Sequence, residues 1–165
     1  MYLEYLWATS RSKWVKKPHL KKGDCIFCAI ARGDKRVPSK VLYKDKDMMV
    51  IMNIFPYSPG HIQVVPIQHA RSLHDLSEDE FNKFFRMGKK CLMLLESALG
   101  PAGYNIGINI GEVAGASIEH LHMQIVPRHN REVGFMETTS HTKVMPESLE
   151  QTFAKLKKHL DILKD

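Results

Sequence analysis

Residues Glu119 to Arg128, E-H-L-H-M-Q-I-V-P-R, put His120, His122 and Gln124 at every second position, with Leu121, Met123 and Ile125 between them. A strand turns successive side chains to opposite faces, so the spacing predicts two imidazoles and an amide on one face and a buried aliphatic row on the other. Imidazole, with an ordinary pKa of about 6.5, is largely neutral at pH 7 and carries a lone pair without first losing a proton. Pro127 lacks the ladder donor and is expected to end the strand. An ordinary half-buried strand with two surface histidines gives the same alternation. The lead-in G-E-V-A-G-A-S-I favours a site, because Gly111 and Gly115 with small Ala116 and Ser117 make a loop whose N–H groups can approach a phosphate closely.

A second group of chemically capable residues lies far upstream. Cys25 and Cys28 form a Cys-x2-Cys pair, which brings two thiols within reach of one tetrahedral zinc but supplies only half of a site. A redox pair and two buried cysteines are the alternatives.

The elements that must position these groups can be read from periodicity and breakers. A short helix is expected over about 26–31, ended by Gly33. Val41–Lys44 and Met48–Asn53 read as strands joined through the polar K-D-K-D turn, and Gly60–Pro66 as a third, with His61, Gln63 and Val65 on one side. Between them Pro56 and Pro59 stiffen a turn whose Phe55 and Tyr57 are expected, on base rates, in the core. Ser77 and Glu80 form a capping box before a long amphipathic helix, Phe81–Ala98, whose phenylalanines, methionines and Cys91 are assigned to the core and which Gly100 and Pro101 stop. Gly103–Asn109 alternates and should pair antiparallel with the motif strand. Leu149, Phe153, Leu156, Leu160 and Leu163 lay one apolar stripe along a C-terminal helix, to cover the core or a partner subunit. The expected fold class is α+β: an antiparallel sheet of about five strands with a long helix and a C-terminal helix.

With 165 residues and 44% hydrophobic composition, the chain can build one domain with a proper core. No apolar run approaches the ~18 residues that span a bilayer, and no membrane association is expected. Three cysteines, two of them close together, fit a reducing compartment, with the cytoplasm as the default. The net charge of +6 is concentrated in residues 11–22, which hold six basic side chains and no acid. Residues 1–23 are therefore read as a basic arm and 24–165 as a single domain. The arm is either a solvated leader or an attractor for polyphosphate or nucleic acid.

The stretch Asn109–Arg128 resembles the motif of the histidine triad (HIT) superfamily of nucleotidyl hydrolases and transferases. With Gln124 at the third alternating position it is similar to the His-x-His-x-Gln branch that includes diadenosine tetraphosphate phosphorylases. L-W-A-T-S-R near the start and the segment after the motif extend the resemblance over nearly the whole chain. The resemblance implies a homodimer and a nucleoside bound near the 53–61 turn, with Asn53 and His61 at ribose, base or supporting positions. Asn109, Gly115, Ala116 and Ser117 would bind the phosphates, and Arg128, Phe135, His141 and Lys143 would lie near the site. It implies a structural zinc held by Cys25, Cys28, His69 and His120, and no organic cofactor. His122 would attack the α-phosphorus to form a nucleotidyl-histidine, with Gln124 and His120 completing the catalytic set. Glutamine cannot titrate, which favours an acceptor already ionised, inorganic phosphate, over water. The implied reaction is phosphorolysis of diadenosine tetraphosphate to ATP and ADP. A hydrolase acting on dinucleoside polyphosphates or nucleoside phosphoramidates, and a non-catalytic nucleotide- or RNA-binding protein, are the competing readings.

Overall fold

The computed structural model describes residues 24–130 and 132–164. The basic arm and the proposed boundary before residue 24 lie outside them. Five strands, β1 (Val41–Lys44), β2 (Met48–Met52), β3 (Ile62–Pro66), β4 (Gly103–Ile108) and β5 (Met123–Arg128), form one sheet in the order β1-β2-β3-β5-β4. Every neighbouring pair is antiparallel. The helices are α1 (Ile26–Ala31), α2 (Glu78–Leu99), α3 (Phe135–Ser140) and α4 (Leu149–Lys157). This is the expected α+β architecture.

The two faces of the sheet have different work. On one, Leu42, Val50, Met52, Ile62, Val64, Met123 and Ile125 meet Phe84, Met87, Cys91, Leu94 and Leu95 of α2. On the other, Met49, Ile51 and Val65 meet Phe27 and Ile30 of α1. Strands β2 and β3 are thus covered on both faces, which is why M-M-V-I-M is an unbroken apolar run. Each aliphatic side chain so buried contributes about 2 kcal/mol of transfer free energy.

Helix α2 begins and ends where its caps dictate. Both arms of the Ser77/Glu80 capping box form, and Gly100 adopts φ 55° while its N–H returns to the Glu96 carbonyl. The expectation that all its aromatics are core is corrected. Phe81 and Phe85 are exposed and pack on each other at 4.7 Å, because the face set against the sheet is Phe84, Met87, Cys91, Leu94 and Leu95. The C-terminal stripe covers the core of its own chain, with Leu156 and Leu163 fully buried. It is carried not by one helix but by α4 and a 3₁₀ turn, Leu160–Leu163.

Several strand boundaries also differ from expectation. β2 stops at Met52 and β3 starts at Ile62, so Asn53 and His61 face each other across the mouth of the turn, with Asn53 N–H on the His61 carbonyl. The motif strand begins only at Met123. Its partners on either side end at Val64 and Ile108, leaving His120 to His122 extended but outside the ladder, with Leu121 N–H on the Ala70 carbonyl. Pro127 does not end the strand. The carbonyl of the next residue, Arg128, accepts from Ala102 on the β4 side, so the missing Pro127 N–H faces the β3 side, where pairing stops at Ile125.

Candidate active site

A cavity of about 220 Å³ opens on the α1 face of the sheet. Ile26, Phe27 and Ile30 wall one side, the Asn53–Tyr57 turn another, and His122, Gln124, Asn109, Gly115 and Ser117 close the polar end. Six of the expected site residues therefore converge: Asn53, Asn109, Gly115, Ser117, His122 and Gln124. Phe55 and Tyr57 line the cavity rather than the core, and Tyr57 is half exposed. The turn residues that base rates assigned to packing thus belong to the site.

The polar face of the motif is buried too, with His120 2% and His122 4% exposed. Phe27 packs edge-on against both rings, at 5.7 and 5.2 Å. His122 Nδ1 lies 2.8 Å from the His120 carbonyl. A carbonyl only accepts, so Nδ1 carries the proton and the neutral ring has its nucleophilic lone pair on Nε2.

His61 is not at the cavity surface. It is fully buried, stacked under Tyr57 at 5.1 Å. Its Nδ1 accepts from the Tyr57 N–H at 3.2 Å and lies 3.3 Å from the Asn53 amide nitrogen, whose partner oxygen accepts from Phe55 N–H. Burial pushes its pKa down to about 4, against a hydrogen bond to Gln124 that raises it. A neutral ring with its proton on Nε2 can donate to the Gln124 side-chain oxygen, an arrangement that turns the Gln124 N–H groups to the cavity. Asn53 is likewise committed partly to His61.

The glycine loop closes on itself. Gly111 and Gly115 take φ of 85° and 89°, and a 3₁₀ turn, Glu112–Ala114, lies between them. The N–H groups of Gly115 and Ala116 return to the carbonyls of Glu112 and Gly111, and the Asn109 amide holds the Gly115 carbonyl at 3.2 Å. Two of the donors expected to meet phosphate are thus used in shaping the loop, while Ser117 and Asn109 line the cavity. Ala116 lines only a neighbouring groove on the far side of the loop, with Arg71 and Glu119. Arg128, Phe135, His141 and Lys143 line neither. Arg128 and Lys143 pair with Glu132, Phe135 is exposed, and His141 caps α3 with φ 48°.

The upstream thiols do meet the motif. Cys25 Sγ lies 3.2 Å from His120 Nδ1, and Cys28 Sγ lies 3.4 Å from His69 Nδ1 and 3.6 Å from His120 Nδ1. All four donor atoms fall within 4.8 Å of one another, making a candidate metal site. The donor set fits zinc on two counts. A tetrahedral ion with zinc–sulfur and zinc–nitrogen bonds of ordinary length separates S from N by about 3.5 Å. In addition, His120 Nε2 is 2.9 Å from the Pro66 carbonyl, which fixes the proton there and leaves Nδ1 as a ligand. Burial pushes the His120 pKa down to about 4 and, with Cys25, the Cys28 thiol up to about 11. His120 therefore turns its ring to the thiols and meets His122 through its backbone carbonyl.

Sequence reasoning passed over Phe27, the wall residue between the two thiols, and Gln63. The signal for Gln63 was present: one amide in an otherwise apolar or proline strand.

An open antiparallel sheet presenting an activated imidazole beside a glycine loop, above an apolar slot, defines a nucleotide-processing α+β enzyme. Residues 34–131 match the HIT domain model, and the chain belongs to that family. It is 29% identical over 157 residues to AP-4-A phosphorylase of Mycobacterium tuberculosis, covering 91% of this chain and 80% of that one. It is 32% identical over 125 residues to adenosine 5'-monophosphoramidase of Schizosaccharomyces pombe, covering 76% and 90%. A crystal structure of a zinc-bound histidine triad family protein from Mycobacterium smegmatis superposes with a TM-score of 0.69 at 28% identity, covering 85% of this chain and 95% of that one. No helix among the described residues is long and apolar enough to cross a membrane.

Proposed function

We propose that this chain is a nucleotidyl transferase that splits diadenosine tetraphosphate with inorganic phosphate. His122 Nε2 attacks the α-phosphorus. The bond to the bridging oxygen breaks and ATP leaves as its anion. Phosphate then attacks the adenylyl-histidine, giving ADP and restoring the imidazole. The observation that carries this reading is that an amide, Gln124, lines the cavity beside His122 where a titrating side chain could stand. The amide can stabilise phosphoryl oxygens, but it can neither protonate a leaving group nor take a proton from water. Both the leaving group and the acceptor must therefore be anions. The AP-4-A phosphorylase similarity over most of the chain supports the same assignment.

The supporting parts follow. Zinc held by Cys25, Cys28, His69 and His120 supplies a closed structural link between α1 and the motif. β4 is an edge strand with Ile106 exposed, and a second copy pairing there makes a homodimer. The basic arm, residues 11–22, draws polyphosphate toward the site, and the compartment is the cytoplasm.

A water-dependent hydrolase is the second reading, favoured by the monophosphoramidase similarity. Purified protein incubated with diadenosine tetraphosphate, with and without millimolar phosphate, separates them. ADP with ATP only in phosphate supports the transferase; AMP with ATP regardless of phosphate rejects it.

A further inference from the structure

Strand β3 is buried along its whole length, and Gln63 is its one side chain with hydrogen-bonding groups. Gln63 is 8% exposed and lines the same cavity as His122 and Gln124. The register sets it directly opposite Gln124 on β5 and opposite Ile51 on β2. Residues opposed in an antiparallel pair hold their Cβ atoms about 5 Å apart, so two side-chain amides stand side by side on the cavity floor.

These neighbouring polar side chains are not equivalent. Asn53, His61 and Gln124 are engaged with one another or with the turn backbone. The Gln63 amide hydrogen-bonds to no described residue, nor is it among the sealed, partnerless polar atoms, of which His129 Nε2 is the one example among the described residues. Lining the cavity, the amide is left to solvent or to a ligand for its hydrogen bonds. Its same-face neighbours along the strand are His61 and Val65, both buried, and no described residue on that face pairs with the amide.

We propose that Gln63 is a further substrate-contacting residue. Its amide hydrogen-bonds the bound nucleotide where the sugar passes to the α-phosphate, between the apolar slot at Ile51 and the phosphoryl position at Gln124. The assignment rests on the nucleotide reading given above. An amide offers two donors and an acceptor, which suits the junction of a phosphate oxygen and a sugar oxygen. Gln63 thereby selects nucleoside monophosphoryl groups over bare nucleosides, and sharpens a cavity whose other walls are largely apolar.

The test uses calorimetric titration of AMP and of adenosine into the full chain and into Gln63→Leu, together with melting temperatures. Gln63→Leu is expected to weaken AMP about 5- to 10-fold, to weaken adenosine less, and to keep Tm, because the amide has no described protein partner to lose. A structural glutamine gives the opposite pattern, with Tm falling and AMP affinity unchanged, and that result overturns the proposal. Gln63→Met, unbranched and close in volume, is the second variant should leucine disturb packing, and the same outcomes apply to it. Gln63→Glu keeps the shape but sets a carboxylate against the phosphate, and is expected to lose AMP while retaining adenosine; AMP binding as tight as in the unaltered chain also overturns the assignment. Failure of the reaction is distinguishable. AMP binding without turnover of diadenosine tetraphosphate rejects the transferase and leaves Gln63 to stand on its own affinities, whereas no AMP binding by the unaltered chain rejects both.

Discussion

The backbone carbonyl of His120 takes the Nδ1–H of His122 at 2.8 Å. The residue that orients the His122 ring is the same residue whose own ring faces the thiols, so the proposed nucleophile and the candidate metal site are two peptide units apart.

Replacing His122 by alanine removes the attacking lone pair and leaves the fold intact, since the ring sits at the cavity rather than in the main core. Turnover of diadenosine tetraphosphate is expected to fall by on the order of 10⁴-fold or more, with Tm within a few degrees. Retained turnover at more than a tenth of the starting rate would exclude His122 as the nucleophile.

Exchanging Gln124 for histidine restores a group that can hold and release a proton beside His122. Phosphate dependence is expected to weaken and AMP to appear as a product in phosphate-free buffer, at a rate raised by about 10²-fold. Product chromatography decides, and an unchanged ADP-to-AMP ratio refutes the argument from the amide.

Metal content is expected at one zinc per chain by atomic emission, with Cys28→Ala falling well below that value. Loss of the metal removes a tie between α1 and the motif. For a chain of this size a cost of order 3 kcal/mol reads as a fall in Tm of about 10 °C. Full zinc occupancy in Cys28→Ala sinks the quartet.

The pH dependence of stability follows from His61. Its folded pKa of about 4 is below its ordinary value near 6.5, so the unfolded chain takes up the proton first as pH falls. Stability is full above about 6.5 and is lost as the pH descends toward 4. Between pH 7 and 5 this amounts to about 2 kcal/mol. Urea unfolding at the two pH values should show that increment in the unaltered chain and lose it in His61→Gln; the difference between the two proteins isolates His61 from the metal ligands.

Two glycines with positive φ should respond unequally to alanine. At Gly60, φ 86°, a Cβ would come within 2.4 Å of Leu99 Cδ1 and 3.0 Å of Pro127 Cγ, whereas at Gly100, φ 55°, it meets nothing. Gly100→Ala therefore costs about 1 kcal/mol of backbone strain, and Gly60→Ala about 3 kcal/mol from strain plus overpacking. Equal losses on chemical denaturation would contradict the packing of the turn on the end of α2.

Local rules made much of this molecule readable. Ser77, Glu80 and Gly100 mark α2 because capping uses groups a few residues apart, and the alternation of 123–128 marks a strand because one of its faces is buried, while 103–108, with no buried side chain, is held as a strand by its ladder to β5. What failed was fixed at a distance. Whether Phe81 or Phe84 meets the sheet depends on how the helix is rolled. Pro127 is tolerated because β3 has already diverged. The committed N–H groups of Gly115 and Ala116 depend on loop φ angles that no spacing reveals. Of the site, the residue types were legible; the division of His120 between two tasks, and the burial of His61 beneath Gln124, required the sheet.

Helix α1 is a wall with two landlords. Ile26, Phe27 and Ile30 face the cavity, while Cys25 caps the same six-residue helix and Cys28 lies within it, facing His69 and His120. An ion held by the quartet fixes the panel against which a nucleoside packs, and a nucleoside in the slot steadies the panel that carries two of the ligands. Their binding free energies are then linked, and linkage is reciprocal: whatever factor the metal adds to nucleotide affinity, the nucleotide returns to metal affinity. If the quartet holds zinc, nucleotide-occupied protein is expected to yield it to a chelator more slowly than empty protein.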